Sequence, residues 1–360
     1  MNKLALALPA LVLCVAGCSG GALPPANRVA PAFFRGVAPL AGGYTLGNLT
    51  KLGPRPNHLI VARDGSVWFT ADRKPYVVQV KSDGSVRMWH VPAFSKAGTA
   101  MPQYIVAGRD GSIWFDYLDS TYQGCTNGIG HIINGELKRF PDRACTGAGP
   151  ESMALGSDGR IYVVEAGSDQ IEFVGGRGPV GYAELDGKSG YAYPQYITSG
   201  SDGNLWISAD RFVIRLSTNG YTAKYFRVGS DQYPPPNVAS EIATGPDGNV
   251  WVIEKHYPSS TTSILKITPK GHVTPYRVKA PHNPMSLTPG PDGLVWFIDL
   301  AKPSVVGSVS PSGSFAYHPV ENNLGAIFLT LGWNGGDALE VGGETKSLRQ
   351  RRHFFTATVQ

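Results

Sequence analysis

The sequence predicts an all-β propeller, and three observations support that prediction. One pattern occurs six times: a repeat residue, usually proline, then an Asp-Gly pair, an apolar pair and an acid. The Asp-Gly aspartates stand at positions 64, 110, 158, 202, 247 and 292, so the steps are 46, 48, 44, 45 and 45 residues, a period typical of repeat folds. Gly and Pro, at 45 and 28 residues, fit many turns, and no stretch has sustained helical periodicity. The six copies are Pro56–Asp72, Pro102–Asp116, Pro150–Glu165, Pro194–Asp210, Ala239–Glu254 and Pro284–Asp299.

The second copy shows how one repeat becomes four strands. Tyr104–Ala107 and Ile113–Phe115 are apolar runs on either side of Asp110-Gly111, a hairpin signal because glycine accepts a positive φ. A third run, Ile129–Ile133, ends at an Asn-Gly pair, and Leu137–Phe140 then alternates apolar and polar residues like an outer strand. Four antiparallel strands per repeat are typical of a propeller blade.

The predicted count is seven four-stranded blades, made of six clear repeats and one degenerate blade. Ile327–Leu331, Ala338–Val341 and His353–Val359 supply about three more strands after the sixth copy. The outer strand of this last blade is expected from Gly42–Leu52, because pairing between the chain ends removes exposed sheet edges. Six and eight blades remain the alternative counts.

The N-terminal residues 1–18 are predicted to be a lipoprotein signal peptide. Lys3 provides a positive charge, Leu4–Val15 is apolar but too short to span a bilayer, and the following tetrapeptide, residues 15–18, resembles a bacterial lipobox. The resemblance implies cleavage before Cys18 and acylation of its thiol, and several acyl chains give a stable anchor. Ser19 favours sorting to the outer membrane in a Gram-negative cell. The alternative is an ordinary cleaved secretion signal.

The remaining chain is predicted to be a tether and one domain. Residues 19–41 are rich in Gly, Ala and Pro and indicate a tether, and residues 42–360 form the single propeller domain. Cys125 and Cys145 remain outside the signal, and an even number in an exported chain favours a disulfide between them. The alternative is two free buried thiols.

The charge balance argues against nucleic acid as a partner. The net charge is +5, and only 16% of residues are charged. The membrane is expected to be contacted only through the lipid anchor. A basic run of Lys346, Arg349, Arg351 and Arg352 is typical of a solvated hairpin, with anionic lipid head groups as the alternative partner.

One face of the propeller is predicted to carry an acid from each repeat. The Asp-Gly turns mark one face, and the segments after each repeat residue and the acids mark the other. Carboxylates that converge at a channel mouth bind hard cations, so Mg²⁺ or Ca²⁺ is a possible cofactor. The alternative is a structural role in which the acids accept backbone hydrogen bonds. The acids are Asp72, Asp116, Glu165, Asp210, Glu254 and Asp299, and the metal candidates among them are Asp116, Glu165, Glu254 and Asp299.

The residues directly after each repeat residue vary, so an individual function is expected there. Their mixture of polar and aromatic side chains suits a sugar, a peptide or a small amphipathic ligand. The alternative is a channel lining that only holds water. The ligand-binding candidates are Asn57, His58, Gln103, Tyr104, Gln195, Tyr196 and Glu241.

The repeat resembles that of the virginiamycin B lyase (streptogramin lyase) family of propellers. The family pattern is Pro-His-x-Ile, Gly-x-Asp-Gly and then aliphatic-Trp-Phe-Thr-Glu, and the resemblance covers nearly all of residues 54–320. It implies a propeller fold and an activity that opens cyclic streptogramin B antibiotics by elimination at the ester, aided by Mg²⁺. The matching segments are Pro102–Ile105, Gly108–Gly111, Ile113–Phe115, Pro194–Ile197, Gly200–Gly203, Gly245–Gly248 and Trp251–Glu254.

The catalytic positions of the family are not matched. The resemblance places catalytic histidines directly after the repeat proline in the last two blades, with an acid before one of those prolines and a glutamate after the following Trp. Met285 stands at the first histidine position, and Asn323, Leu324 and Gly325 replace acid, Pro and His. Gly343 falls at the glutamate position. We therefore carry over no catalytic residue.

Three classes of function follow from the sequence. The preferred one is a non-catalytic binding propeller on the cell envelope, whose partner is a glycan, a peptide, another small molecule or an envelope protein. The second is an enzyme, either a metal-assisted C–O lyase or a lactonase-like hydrolase acting at the channel mouth. The third is a scaffold subunit of an envelope complex.

Overall fold

The computed structural model describes the propeller repeats and most of the chain after them. The predicted signal peptide with Cys18, the tether, Cys125 and Cys145 lie outside the described residues. No helix among the described residues is long and apolar enough to cross a membrane. The described residues are 44–45, 50–94, 98–119, 128–141, 150–165, 170–175, 181–185, 193–229, 237–259, 261–290, 292–301, 305–321, 327–333, 339–346 and 352–359.

Six four-stranded antiparallel blades follow one another along the chain, as the repeat predicts. Two short strands come first, β1 (Tyr44–Thr45) and β2 (Thr50–Leu52). Blade 1 consists of β3 (Pro56–Val61), β4 (Val67–Ala71), β5 (Tyr76–Val80) and β6 (Val86–His90). Blade 2 consists of β7 (Ala100–Ala107), β8 (Ile113–Asp119), β9 (Gly128–Ile133) and β10 (Glu136–Pro141). Blade 3 consists of β11 (Pro150–Leu155), β12 (Ile161–Glu165), β13 (Gln170–Val174) and β14 (Gly181–Glu184).

The other three blades have the same strand order. Blade 4 consists of β15 (Pro194–Ser199), β16 (Leu205–Ala209), β17 (Phe212–Leu216) and β18 (Ala223–Arg227). Blade 5 consists of β19 (Asn237–Thr244), β20 (Val250–His256), β21 (Thr261–Ile267) and β22 (Val273–Arg277). Blade 6 consists of β23 (Pro284–Pro289), β24 (Val295–Asp299), β25 (Val305–Val309) and β26 (Phe315–Glu321), and β1 pairs in parallel with the end of β26.

The chain ends form one further sheet, which we call the last sheet. It contains β27 (Ile327–Trp333), β28 (Leu339–Lys346) and β29 (Arg352–Val359), and β2 pairs with β29 at its outer side. β27 contacts β23 of blade 6 and β3 of blade 1. The last sheet therefore lies between the first and sixth blades.

The Asp-Gly turns and the aromatic residues after them occur together because they bind each other. The Oδ1 atom of Asp202 accepts hydrogen bonds from the backbone N–H of Asn204 at 3.1 Å and from Nε1 of Trp206 at 3.1 Å. In blade 1 a serine mediates the contact: Trp68 Nε1 donates to Ser66 Oγ at 2.9 Å, and that hydroxyl donates to the aspartate. The turn is thereby fixed to the second strand of its own blade.

The hydrophobic core lies between neighbouring blades. Each of five clusters joins one blade to the next, from the pair of blades 1 and 2 to the pair of blades 5 and 6. Trp206 and Trp251, both fully buried, belong to the two clusters on either side of blade 5. The blades are stable only as a stack because each one buries its apolar faces against its neighbours.

Candidate functional site

The first strands of the blades surround the channel. Each first strand contacts the first strand of the next blade from β3 to β23, and β27 contacts both ends of this series. Every one of the six first strands also carries a one-residue register shift, which follows the repeat residue directly in blades 1 to 5, as between Pro56 and Leu59, and lies between Met285 and Thr288 in blade 6. A bulge of this kind re-aims side chains, and here it affects the positions where the sequence predicts ligand contacts.

Three aromatic candidates from different blades meet at these bulges. The rings of His58 and Tyr104 have centroids 4.0 Å apart and are tilted by 33°. The rings of Tyr104 and Tyr196 have centroids 6.3 Å apart and are nearly perpendicular, at 79°. Ser152 holds the equivalent position in the intervening blade 3, and its small side chain leaves room for the two tyrosines to meet. The structure therefore brings three predicted ligand residues into one aromatic group.

Burial keeps His58 uncharged near neutral pH. Desolvation lowers the pKa of its imidazole to about 4. The His58 residue is partly exposed, but it lies in the channel wall among protein atoms. These atoms displace water from the imidazole and so disfavour its charged form. His58 consequently contributes a neutral aromatic ring to the site rather than a positive charge.

Glu241 is the acid at the equivalent position of blade 5, and it bridges to blade 6. Its Oε2 atom accepts a short hydrogen bond from the backbone N–H of Ser286 and another from Leu287 at 3.3 Å. Burial raises the pKa of its carboxyl group, although these two hydrogen bonds act in the opposite direction. Glu241 is thus held in one orientation by the neighbouring blade.

The bridging role of Glu241 has a local cause. In blades 1, 2 and 4 a side chain of the blade's own second strand accepts the equivalent N–H: Thr70 bonds His58, Asp116 bonds Tyr104, and Ser208 bonds Tyr196. Blade 6 has Ile298 at that position, which has no acceptor. The carboxylate of blade 5 satisfies the N–H instead.

The other predicted ligand residues lie beside this group and are partly exposed. The side-chain Nε2 atom of Gln103 donates to the backbone carbonyl of Met101 at 3.0 Å. The backbone carbonyl of Gln103 accepts from Thr70 Oγ1 at 2.6 Å. Asn57 and Gln195 hold the equivalent positions in blades 1 and 4. These side chains can add polar contacts around the aromatic group.

The structure does not bring the four metal candidates together. Asp116, Glu165, Glu254 and Asp299 are at most 4% exposed, and they hold different positions in their strands. Glu165, Glu254 and Asp299 each pair with the repeat residue of their blade, whereas Asp116 stands one position earlier, where side chains alternate to the other side of the strand. No group of three or more potential metal ligands exists among the described residues. The described residues therefore contain the four metal candidates as buried carboxylates outside any such group, and a metal at the channel mouth stays a prediction.

Asp299 shows the role that such a carboxylate has. Its Oδ1 atom accepts from the backbone N–H groups of Asn283 and Ala301, both at 3.0 Å, and its Oδ2 atom lies 2.5 Å from Nδ1 of His282. Tyr317 stacks on His282 with centroids 3.5 Å apart. The one signal of His282 in the sequence is its place two residues before Pro284.

A second histidine lies near a carboxylate in blade 5. His256 Nε2 is 2.9 Å from Ser263 Oγ and 3.3 Å from Glu254 Oε2. A catalytic triad needs the serine and the acid on different ring nitrogens, so that one positions the ring while the other loses its proton. Here Ser263 and Glu254 both contact the Nε2 atom of His256. The three residues therefore form a polar contact within blade 5 and do not make Ser263 a nucleophile.

The comparisons with known proteins agree with this architecture. The model of the Virginiamycin B lyase family matches residues 44–323. A streptogramin B lyase structure is similar over 88% of this chain and 98% of its own, with a TM-score of 0.68 and 19% identity. A catalytically inactive virginiamycin B lyase from Staphylococcus aureus with quinupristin is similar over 88% of this chain and 100% of its own, with a TM-score of 0.69 and 20% identity.

A further solved structure is also similar. The structure of YCF48 bound to D1 peptide is similar over 90% of this chain and 99% of its own, with a TM-score of 0.60 and 10% identity. No curated protein matches the sequence. At these identities the solved structures show the fold alone.

Proposed function

Because this chain belongs to the virginiamycin B lyase family, we propose that it uses the propeller of that family as a ligand-binding module of the cell envelope. The observation that carries the proposal is the aromatic group of His58, Tyr104 and Tyr196 at the channel wall. Aromatic rings with a few fixed polar groups are the usual lining of a site for a small amphipathic ligand. The ligand is a sugar, a peptide or a similar small molecule.

The absence of matched catalytic residues favours binding over catalysis. Met285 holds the position where the family resemblance places a histidine, and it pairs with Ile298 inside blade 6. Of the other unmatched positions, Gly343 lies in β28, and Asn323 to Gly325 lie outside the described residues.

We also propose a seventh blade that closes the ring and a lipid anchor at the N-terminal side. The last sheet would complete the ring as a seventh blade, because its first strand contacts both blade 6 and blade 1. The segment from residue 19 to residue 41 would tether the propeller to a lipid on Cys18. Labelling of cells with a fatty-acid analogue tests the anchor: Cys18→Ser abolishes incorporation if the proposal is right, and a signal that persists contradicts it.

Binding at the channel wall is testable with two matched variants. Saturation-transfer NMR is used to screen envelope sugars and short peptides, and we expect it to identify a ligand. The affinity for this ligand should fall about tenfold or more in the double variant Tyr104→Ala/Tyr196→Ala. Tyr257→Ala is the control, because this tyrosine is 55% exposed in a loop outside the aromatic group. Equal loss in both variants, or no loss in either, would contradict a site at these tyrosines.

A metal-assisted lyase is the second candidate, and family membership is the observation that favours it. Elimination needs a base, and the raised pKa of Glu241 makes its carboxylate a stronger one. The test incubates the protein and a cyclic streptogramin B, or a simple lactone, with Mg²⁺ or with a chelator and follows ring opening by mass spectrometry. Mg²⁺-dependent opening that Glu241→Gln abolishes would establish the enzyme and overturn the purely binding role.

A further inference from the structure

We propose that the channel site recognises an organic ammonium group. This inference rests on the proposed function, because it names the chemical class of the ligand for the same site. It follows from the kind of surface that the blades bring together after their repeat residues. That surface combines aromatic faces with one carboxylate from a neighbouring blade.

The aromatic part of the site offers negative π-faces to a cation. Tyr104 and Tyr196 stand nearly perpendicular in an edge-to-face arrangement with centroids 6.3 Å apart, so a cation beside them would lie near rings of two orientations. An ammonium group within about 6 Å of a ring centroid is attracted by the ring quadrupole, and the attraction grows when water is excluded. The bulge in each first strand fixes where these rings stand.

The charge at the equivalent positions has the required sign. The six residues two positions after the repeat residues are His58, Tyr104, Ser152, Tyr196, Glu241 and Ser286. Glu241 is the one acid among these six, and burial keeps the imidazole of His58 uncharged near neutral pH. A cation therefore meets one carboxylate and no opposing charge at these positions.

Other classes of ion fit the site less well. An anion would approach Glu241 and the negative faces of the rings, which is unfavourable for both contacts. A hard divalent cation needs several oxygen ligands, and the described residues contain no group of three or more acid, histidine or cysteine side chains. An organic ammonium group needs only the carboxylate and the rings.

The positive charge of Lys255 opposes the binding of a cationic ligand at Glu241. The charge of Lys255 acts on the Glu241 carboxyl and lowers its pKa, against the larger effect of burial. A bound ammonium group would compete with this interaction. Removing the charge of Lys255 is therefore expected to strengthen binding, whereas removing that of Glu241 is expected to weaken it.

Titration calorimetry with paired ligands tests the proposal on the whole protein. Choline is compared with its uncharged isostere 3,3-dimethylbutan-1-ol, and glucosamine with glucose. We expect the charged member of at least one pair to bind about tenfold or more tightly than the neutral one. Preference within the choline pair indicates a quaternary ammonium ligand, and preference within the sugar pair indicates a primary amine.

Variants then assign the preference to the named residues. Tyr104→Leu and Glu241→Gln are each expected to weaken binding of the charged ligand about fivefold or more, while Tyr104→Phe, which keeps the ring, loses at most about twofold. Lys255→Gln should bind it more tightly. Glu241→Gln keeps an amide oxygen for the Ser286 N–H, so that loss of binding can be separated from loss of folding by comparing melting temperatures.

The result that would overturn the inference is equal affinity for the charged and neutral members of both pairs. Equal loss in Tyr104→Phe and Tyr104→Leu would also overturn it, because the hydroxyl rather than the ring would then be responsible. If a neutral sugar or peptide nevertheless binds and Tyr104→Ala/Tyr196→Ala loses it, the proposed binding function stands and only the ammonium class is wrong.

Discussion

At the scale of single residues, a side chain at the ligand position can also hold two blades together. Glu241 was predicted from its position to contact a ligand, but its carboxylate also accepts the N–H groups of Ser286 and Leu287. The need for this contact arises one blade away, where Ile298 replaces the acceptors that blades 1, 2 and 4 supply for themselves. The relation between positions 241 and 298 is evident only from the register of the strands.

A rescue experiment follows from this pairing. Glu241→Ala is expected to lower the free energy of unfolding by about 1–3 kcal/mol, because it leaves a backbone N–H of blade 6 without its acceptor. Ile298→Thr supplies a hydroxyl like that of Thr70 and should recover part of the loss in the double variant. Urea unfolding of the two single variants and the double variant measures the coupling. Strict additivity of the two changes would show that the positions are independent.

The buried histidine predicts a pH dependence of stability. The pKa of His58 is about 4 in the folded chain, so between about pH 6.5 and pH 4 the unfolded chain binds a proton that the folded chain does not. The free energy of unfolding therefore falls as the pH falls through this window, by up to about 1.4 kcal/mol per unit from this group.

His58→Gln is the variant that isolates the effect. Its stability should change less steeply with pH than that of the natural protein between pH 6.5 and pH 4, as measured by urea unfolding. Some dependence will remain, because burial also lowers the pKa of His131, His256 and His318. Parallel curves for the two proteins would mean that His58 titrates normally in the folded state.

At the scale of elements, the packing inside a blade explains residues that the repeat pattern leaves free. Gly130 and Gly307 lie in third strands, directly opposite Phe115 and Phe297. A Cβ atom at Gly307 would stand 2.1 Å from Phe297 Cε2, and one at Gly130 would stand 2.0 Å from Phe115 Cζ. The large ring of the second strand thus occupies the space that a third-strand side chain would need.

Gly307→Ala is expected to cost about 1–3 kcal/mol of unfolding free energy through overpacking. Phe297→Leu in the same chain should recover part of this cost, because the smaller side chain releases the space. Gly53→Ala is the matched control, since no atom lies within 4 Å of a Cβ there. Chemical denaturation of Gly307→Ala, Phe297→Leu, their double variant and Gly53→Ala measures the difference, and equal effects at positions 307 and 53 would refute the steric explanation.

At the scale of the whole molecule, the two chain ends meet in one sheet. β2 pairs with β29 from Thr50 to Leu52, and β1 pairs with the end of β26. The N-terminal segment therefore covers the outer edges of two neighbouring sheets. Uncovered edges present free N–H and C=O groups to other chains and promote aggregation.

Stepwise truncation tests the contribution of this segment. Removal of residues 1–43 should leave the melting temperature of the unacylated protein nearly unchanged, whereas removal of residues 1–52 should lower it by about 5 °C and promote association. Removal of residues 1–49 deletes β1 but keeps β2, and it should give an intermediate melting temperature. The same melting temperature for all three proteins would show that the chain ends do not stabilise the propeller.

The propeller fold, the boundaries of the six repeats and the family can be predicted from the amino-acid sequence, because Asp-Gly turns and aromatic pairs are local signals repeated at a fixed period. The sequence also placed the ligand candidates His58, Tyr104 and Tyr196 in equivalent positions. Tertiary structure decided which of them meet, since contact between Tyr104 and Tyr196 depends on a bulge in each strand and on a small residue between their blades. It also set Asp116 apart from Glu165, Glu254 and Asp299, because a shift of one residue turns a strand side chain to the opposite side and no periodic count resolves that difference.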